Sequence, residues 1–344
     1  MRACSTQFYV LEHYLRLATK IPEDWLSSLQ IMTRSPRLSM EVDLAGKHQG
    51  FCSRLAFLEA GGINVCGVYL KSASSICGSN ASTSAIIFPL HGTVDFDING
   101  KHFVSAPGVP FILDPDVEFC ARLSPELHLL IVQLSQPTFL KGIRPPQHGD
   151  SELVKLLESY LVETAFFRDH QHANQRTCLL GNALNNYFSE GRLETRELKN
   201  KVLIGTDRRL CQAFELINDN LKTTVDLEAI AKGSGLSLRN LYYLMRKYTG
   251  MTPYGYCQSR RLIKARESLI CHHSENPVIA DHALRQGFNH AGRFSSYYYD
   301  HFGEYPSETL QNLTALKQNA EKVLSVDAGA MKRKKYWYTS SASP

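Results

Sequence analysis

Between Arg239 and Arg266 the chain carries seven basic residues and no acidic one. They are Arg239, Arg246, Lys247, Arg260, Arg261, Lys264 and Arg266, and Tyr242, Tyr243, Tyr248, Tyr254 and Tyr256 are interleaved with them. Guanidinium and ammonium groups neutralise phosphates, and aromatic side chains stack or hydrogen-bond at base edges, so this run reads as a footprint for double-stranded DNA. Enzyme chemistry finds no comparable cluster. There is no G-x-S-x-G, P-loop or G-x-G-x-x-G. His48, His91, His102 and His128 are dispersed, without the H-x-H pair of a metal centre. No catalytic residue, metal or cofactor is therefore assigned.

The basic run lies inside a duplication. Residues 226–253 and 278–306 each read as helix, glycine turn, helix, stop. Gly235 matches Gly287, Leu241 matches Phe294, Met245 matches Tyr298, Gly250 matches Gly303 and Pro253 matches Pro306. Internal repetition of this kind fixes architecture. Each copy has the layout of a helix-turn-helix, whose second helix enters a major groove. Leu238, Arg239, Tyr242, Tyr243, Arg246 and Lys247 fall on the outward side of the first recognition helix. His290, Arg293, Ser296 and Tyr297 do so on the second. Arg239 is placed to bond guanine through two hydrogen bonds. Ser237 and Asn289 stand at helix starts, where backbone amides meet phosphate. Residues 253–270 are predicted to form the joining helix, with Arg260, Arg261 and Lys264 as phosphate contacts. A stiff helix there lets the two units address successive major-groove faces, about 34 Å apart.

These residues resemble the DNA-binding domain of the AraC/XylS family of bacterial transcription regulators. The likeness rests on Ser237, Arg239, Leu241, Gly250, Met251, Thr252, Pro253, Tyr256, Arg261, Leu262, Ala265 and Arg266, then on Gly287, Phe288, Phe294, Phe302, Gly303, Pro306 and Ser307. The run HAGRFSSYYYDHFGEYPSETL is similar to the XylS-like branch. The sequence departs from the pattern at His282, where the family has an apolar residue, and at Tyr299 and Asp300, where basic residues are usual. The resemblance implies a cupin-like sensor barrel in the N-terminal half, a small-molecule effector linked to aromatic or related carbon compounds, dimerisation beside the barrel, and RNA polymerase as a partner.

The rest of the chain fits two domains. Its 344 residues are 43% hydrophobic, enough for real cores, and the net charge of +5 is mild. No run approaches the roughly 18 consecutive apolar residues of a membrane helix, and the N-terminal stretch is no signal peptide, so a cytoplasmic protein without a membrane partner is expected. The nine cysteines form no C-x-x-C and are expected to be reduced. Residues 1–45 suggest one or two short helices. Residues 50–135 alternate apolar and polar in short segments, with a hairpin turn at Asn99-Gly100, and suggest a small antiparallel barrel.

The proline-rich stretch 136–150 reads as a connector. Leu153, Leu156, Leu157, Tyr160, Leu161 and Ala165 then form an amphipathic stripe, suited to plain packing or to a dimer seam, and the resemblance favours the seam. Leu210, Phe214 and Ile217 begin the DNA-binding domain. The expected fold class is α+β. A cupin-like sensor domain occupies 1–150, a helical dimerisation and linker region 151–200, an all-α domain with two helix-turn-helix units 201–312, and a basic flexible tail 313–344 with Lys332 to Lys335. Arg54, His91 and Arg122 are the candidates for effector contact. The function read from this is a sequence-specific DNA-binding regulator, an activator under effector control. The alternatives are a constitutive regulator whose barrel only dimerises, and a cupin enzyme fused to a DNA-binding domain.

Overall fold

The computed structural model describes residues 9–43, 50–80, 83–134, 151–190, 207–221, 225–273 and 277–323. A 3-10 turn (Glu12–Tyr14) opens the described chain. It is followed by β1 (Leu15–Thr19), α1 (Pro22–Met32), β2 (Ser39–Val42), β3 (Ser53–Ala60), β4 (Ile63–Leu70), β5 (Ser74–Ser79), β6 (Ser84–His91), β7 (Val94–Ile98), β8 (Lys101–Ser105), β9 (Phe111–Leu113), β10 (Glu118–Leu123) and β11 (Leu127–Leu134). Helices follow: α2 (Ser151–Thr164), α3 (His170–Glu190), α4 (Arg208–Asp219), α5 (Leu227–Gly233), α6 (Leu238–Thr249), α7 (Pro253–Cys271), α8 (Ile279–Arg285), α9 (Ala291–Phe302) and α10 (Pro306–Val323). The fold is α+β: a β-barrel lobe followed by an all-α domain with two helix-turn-helix units.

The strands make two antiparallel sheets, in the orders β1-β3-β4-β11-β6-β9 and β2-β5-β10-β7-β8. The turn at Asn99 and Gly100 has φ values of 53° and 73°, the left-handed pair that a two-residue hairpin needs, and it joins β7 to β8. The larger sheet is buried on both faces. One face, with Val68, Ile87 and Leu129, looks into the barrel with Phe96 and Leu123 from the other sheet. The opposite face, with Leu58, Val65, Phe88 and Leu130, is covered by α2 and α3.

That cover corrects the dimer seam. Leu153, Leu156, Leu157 and Tyr160 are all at most 2% exposed and lie in the same apolar cluster as the outer face of the sheet. Leu161 and Ala165 are half-buried, so most of the stripe serves as packing within the chain.

Three further expectations change. Residues 1–45 hold α1, but also β1, which pairs with β3, and β2, which pairs with β5. Cys77 and Cys120 face each other across β5 and β10 and are disulfide-bonded, whereas Cys52, Cys66, Cys178, Cys257 and Cys271 are free thiols. Strand register, invisible in cysteine spacing, brings the two thiols together. The tail expected from 313 is helical as far as Val323, with Leu313 and Leu316 buried in one cluster with Trp25 and Leu29 of α1. The basic residues 332–335 lie outside the described residues.

In the helical domain, α4 to α6 close around Leu210, Phe214, Ile217, Leu241 and Met245, and α8 and α9 close around Ala283, Phe294, Tyr298 and Phe302. The joining helix belongs to both cores. Tyr256 and Cys257 at its start enter the first, and Leu262, Ile263, Ala265 and Leu269 enter the second. Each such buried side chain contributes about 1.5–3 kcal/mol, so α7 is fixed along its length.

His282 is 5% exposed, as its place in the repeat demands, and its Nδ1 lies 2.7 Å from the half-buried Ser268 hydroxyl on α7. The hydroxyl can turn to solvent when its partner is lost, so His282→Ile is expected to change unfolding free energy by no more than about 1 kcal/mol. Denaturant unfolding of the two proteins checks this, and a larger loss means that the hydrogen bond holds α8 in place.

Candidate nucleic-acid interface

The two recognition helices repeat each other in three dimensions. Leu241, Met245 and Thr249 are buried on α6, and Phe294, Tyr298 and Phe302 are buried at the equivalent places on α9. Before each helix the chain turns at a left-handed glycine, Gly235 with φ 72° and Gly287 with φ 81°, a conformation that costs glycine little. The predicted DNA-facing side chains lie on the other side of each helix. On α6, Leu238, Arg239, Tyr242, Tyr243, Arg246 and Lys247 are all exposed, and on α9 so are Arg293, Ser296 and Tyr297. Asn289 and His290, just before α9, are exposed as well. Four tyrosines of these helices stand exposed, Tyr242 at 36%, Tyr243 at 60%, Tyr297 at 42% and Tyr299 at 45%.

Local chemistry starts the two units differently. In the first, Asp226 accepts from the amides of Glu228 and Ala229, and Ser237 accepts from that of Asn240. Such caps are worth about 1 kcal/mol each. In the second, Val278 and His290 occupy the cap positions without a side-chain bond. Asn289, expected at the helix start, therefore sits one residue before the cap. The second unit relies on tertiary packing where the first also has local caps.

The joining helix gives a different result from the sequence. With 19 residues it is about 28 Å long, near one turn of DNA. Its basic side chains, however, are largely engaged within the protein. Arg260, expected on phosphate, is 4% exposed; it pairs with Glu12 of the barrel lobe and donates from Nε to Asn218 Oδ1 at 3.1 Å. It is not free to meet phosphate in this arrangement. Arg261 donates from Nε to the Leu221 carbonyl at 2.9 Å. Lys264 is exposed and lies 2.8 Å from Glu267, which also pairs with Arg54 of β3. Arg266 is 1% exposed and donates from Nε to the Leu15 carbonyl at 3.0 Å. Its Nη2 lies 2.7 Å from Glu304, whose other oxygen accepts from Arg16 of β1, also at 2.7 Å. A positive stripe in the sequence thus includes cations that fasten the barrel to the helical domain.

The effector candidates separate. Arg54 lines a cleft of about 180 Å³ between barrel and α7, with Tyr9, Tyr69, Asn218, Lys264 and Glu267 among its neighbours. His91 is exposed, with Nδ1 2.8 Å from the Glu126 carbonyl, and Arg122 is exposed on β10. Neither lines that cleft nor the apolar cavity inside the barrel. His48 lies outside the described residues.

Histidines stud the same junction. The rings of His13, beside β1, and His301, on α9, are 5.2 Å apart and both are buried. Burial, with His301 and Arg260 nearby, holds the His13 pKa well below its ordinary value, and burial holds that of His301 at about 4. Burial and Arg16 likewise lower that of His170 on α3, whose Nδ1 is 3.1 Å from the Tyr14 hydroxyl. Imidazoles kept neutral in the closed form take up protons only when it opens. Their contribution is intact above the ordinary value of 6.5 and is lost progressively as pH falls from there towards about 4. The full chain is expected to lose thermal stability between pH 7.5 and 5, and His301→Gln should reduce that loss. Identical pH slopes for the two proteins would rule out His301 as a contributor.

A barrel lobe followed by two helix-turn-helix units on one shared helix defines a two-domain DNA-binding transcription regulator. The profile of a helix-turn-helix domain family matches residues 230–312. The HTH-type transcriptional activator RhaS of Escherichia fergusonii is 30% identical over 255 residues, 68% of this chain and 87% of that protein. The XylDLEGF operon transcriptional activator 3 of Pseudomonas putida is 39% identical over 105 residues, a match spanning 29% of this chain and 32% of that protein. A solved transcriptional regulator with an AraC-type DNA-binding domain, from Chromobacterium violaceum, is 30% identical, covering 32% of this chain and 95% of its own at a TM-score of 0.30. The chain belongs to the AraC/XylS family of transcription regulators. Among the described residues no helix is long and apolar enough to cross a membrane.

Proposed function

We propose that this protein activates transcription by binding a specific promoter site through α6 and α9, under the control of a small effector held by the barrel lobe. The carrying observation is the grip of the barrel lobe on α7. Glu12 and Arg54 reach Arg260 and Glu267, the β1 carbonyl of Leu15 reaches Arg266, and Arg16 pairs with Glu304, which in turn holds Arg266. Because α7 belongs to both helix-turn-helix cores, any change in that grip acts on both recognition helices together. An effector shifts the balance only by binding the gripped and released forms unequally. Activation is the activity for which RhaS and the XylDLEGF activator are named. A partnership with RNA polymerase and the pairing of two copies on DNA belong to the same reading, with the seam drawn mainly from a surface other than the stripe on α2.

The test is a promoter reporter beside binding of the purified full chain to the same DNA, with and without candidate effectors. Expected is a rise in transcription that needs both the binding site and the compound. Saturable specific binding that no compound changes, together with a constant reporter level, would leave a constitutive regulator in its place.

A further inference from the structure

Inside the barrel, beneath α1, lies a cavity of about 90 Å³. Its walls are mainly aliphatic and aromatic, from Ile87, Val94, Phe96, Phe119, Leu123 and Leu129, and its lining includes no Asp, Glu, Lys, Arg or His. Five side chains with polar atoms also line it: Trp25 of α1, Thr33 and Ser35 after that helix, Asn80 after β5 and Gln133 of β11. Trp25, Asn80 and Gln133 are 1%, 5% and 3% exposed, and Trp25 Nε1, Asn80 Oδ1 and Gln133 Oε1 have no hydrogen-bond partner among the described residues. A buried donor or acceptor without a partner costs about 1–3 kcal/mol. Three of them around one space are a standing demand for a guest that can meet them.

The character of the walls fixes the charge of that guest. An ionised carboxylate or phosphate moved into this space would lose its hydration and find no cation, whereas a neutral molecule loses little. The space is smaller than the apolar cavity of about 150 Å³ that accepts benzene, so one small ring or branched group fills it. We propose that the barrel cavity takes a small, uncharged, mainly apolar molecule that carries a carbonyl, amide or hydroxyl group, and not a carboxylate or phosphate. This rests on the reading of the barrel as the effector lobe and gives that effector its chemical class. The position of the cavity suits the role. Trp25 and Leu29 of α1 roof it, and the same residues pack in one cluster with Leu313 and Leu316 of α10, so the roof of the cavity is also a wall of the helical domain.

Cyclobutanecarboxamide and cyclobutanecarboxylate, equal in size and shape and different in charge, test the proposal on the full chain. At pH 7.5 the amide should raise the melting temperature saturably, as a ligand of the folded state does, and the carboxylate at equal concentration should not. Ala121→Leu, which fills the cavity from β10, should abolish the response. Trp25→Phe, which removes the indole donor and keeps the ring, should weaken amide binding by about fivefold or more and serves alone should the filled variant not fold. A carboxylate response equal to that of the amide overturns the proposal. So does the absence of any amide response, or a response that Ala121→Leu and Trp25→Phe both leave intact. DNA affinity measured in the same samples separates the two readings. A cavity-dependent melting shift with unchanged DNA binding keeps the ligand class and removes the control of DNA binding by the barrel.

Discussion

Glu304→Gln is expected to destabilise the full chain by about 3–5 kcal/mol, the usual cost of removing one partner from a buried ion pair. Glu304 is 6% exposed between α9 and α10, and holds Arg16 of the barrel and Arg266 of the joining helix, each at 2.7 Å. Thr309 Oγ1 donates to it at 2.7 Å. Without the carboxylate, two buried guanidiniums repel each other and keep their desolvation cost. Burial by itself pushes the Glu304 carboxyl up, but Arg16 and Arg266 outweigh it and hold the pKa at about 2. A carboxyl so depressed stabilises the fold above its ordinary value of 4.5, and the gain is lost as pH falls from there through about 2. Denaturant unfolding of both proteins at pH 7, then at pH 3, is the check. The difference between them should shrink in acid. A cost at pH 7 below 1 kcal/mol would show that solvent reaches the triad and that it does not lock the two lobes together.

Arg239→Ala should weaken binding to the preferred DNA site by about 1–3 kcal/mol and relax preference at one base pair. Arg239 stands two residues after the cap Ser237, exposed on the first turn of α6, the end of a recognition helix that meets base edges. Lys264→Ala is the contrast. Lys264 is on α7, away from either recognition helix, and a contact to phosphate alone should weaken specific and scrambled DNA alike and reduce the salt dependence by about one unit of slope. Binding of both variants to both DNAs across a salt series separates the cases. Equal losses on the two DNAs for Arg239→Ala would make Arg239 a phosphate contact and refute its placement against base edges. An unchanged salt slope for Lys264→Ala would mean that its bond to Glu267, 2.8 Å long, persists on DNA.

Much of the helical domain was legible because its signals are local. The duplication, the turn glycines and the period of Leu241, Met245 and Thr249 are properties of short windows, and the outward residues of α6 and α9 follow by subtraction. The strands from Phe51 to Leu134 were legible for the same reason, since alternation and the Asn99-Gly100 turn need no distant partner. β1 and β2 were missed. They are five and four residues long, and their strand state depends on the neighbours β3 and β5 rather than on their own pattern.

The sequence by itself determined two helix-turn-helix units on one joining helix, which residues of each face outward, and a β-rich lobe ahead of them. Only the tertiary structure decided what the basic stripe is for. Arg239 and Arg246 remain in solvent, while Arg260 and Arg266, drawn from the same run, are buried against carboxylates and carbonyls of other segments. It also decided that the stripe on α2 covers a sheet, that Cys77 meets Cys120, and that a cavity without charges lies under Trp25. The physical reason is common to all four. A side chain's type sets which partners satisfy it, but whether it finds water, DNA or a residue some 250 positions away, as Arg260 finds Glu12, is fixed only when the chain closes on itself and each buried charge or apolar face must be matched.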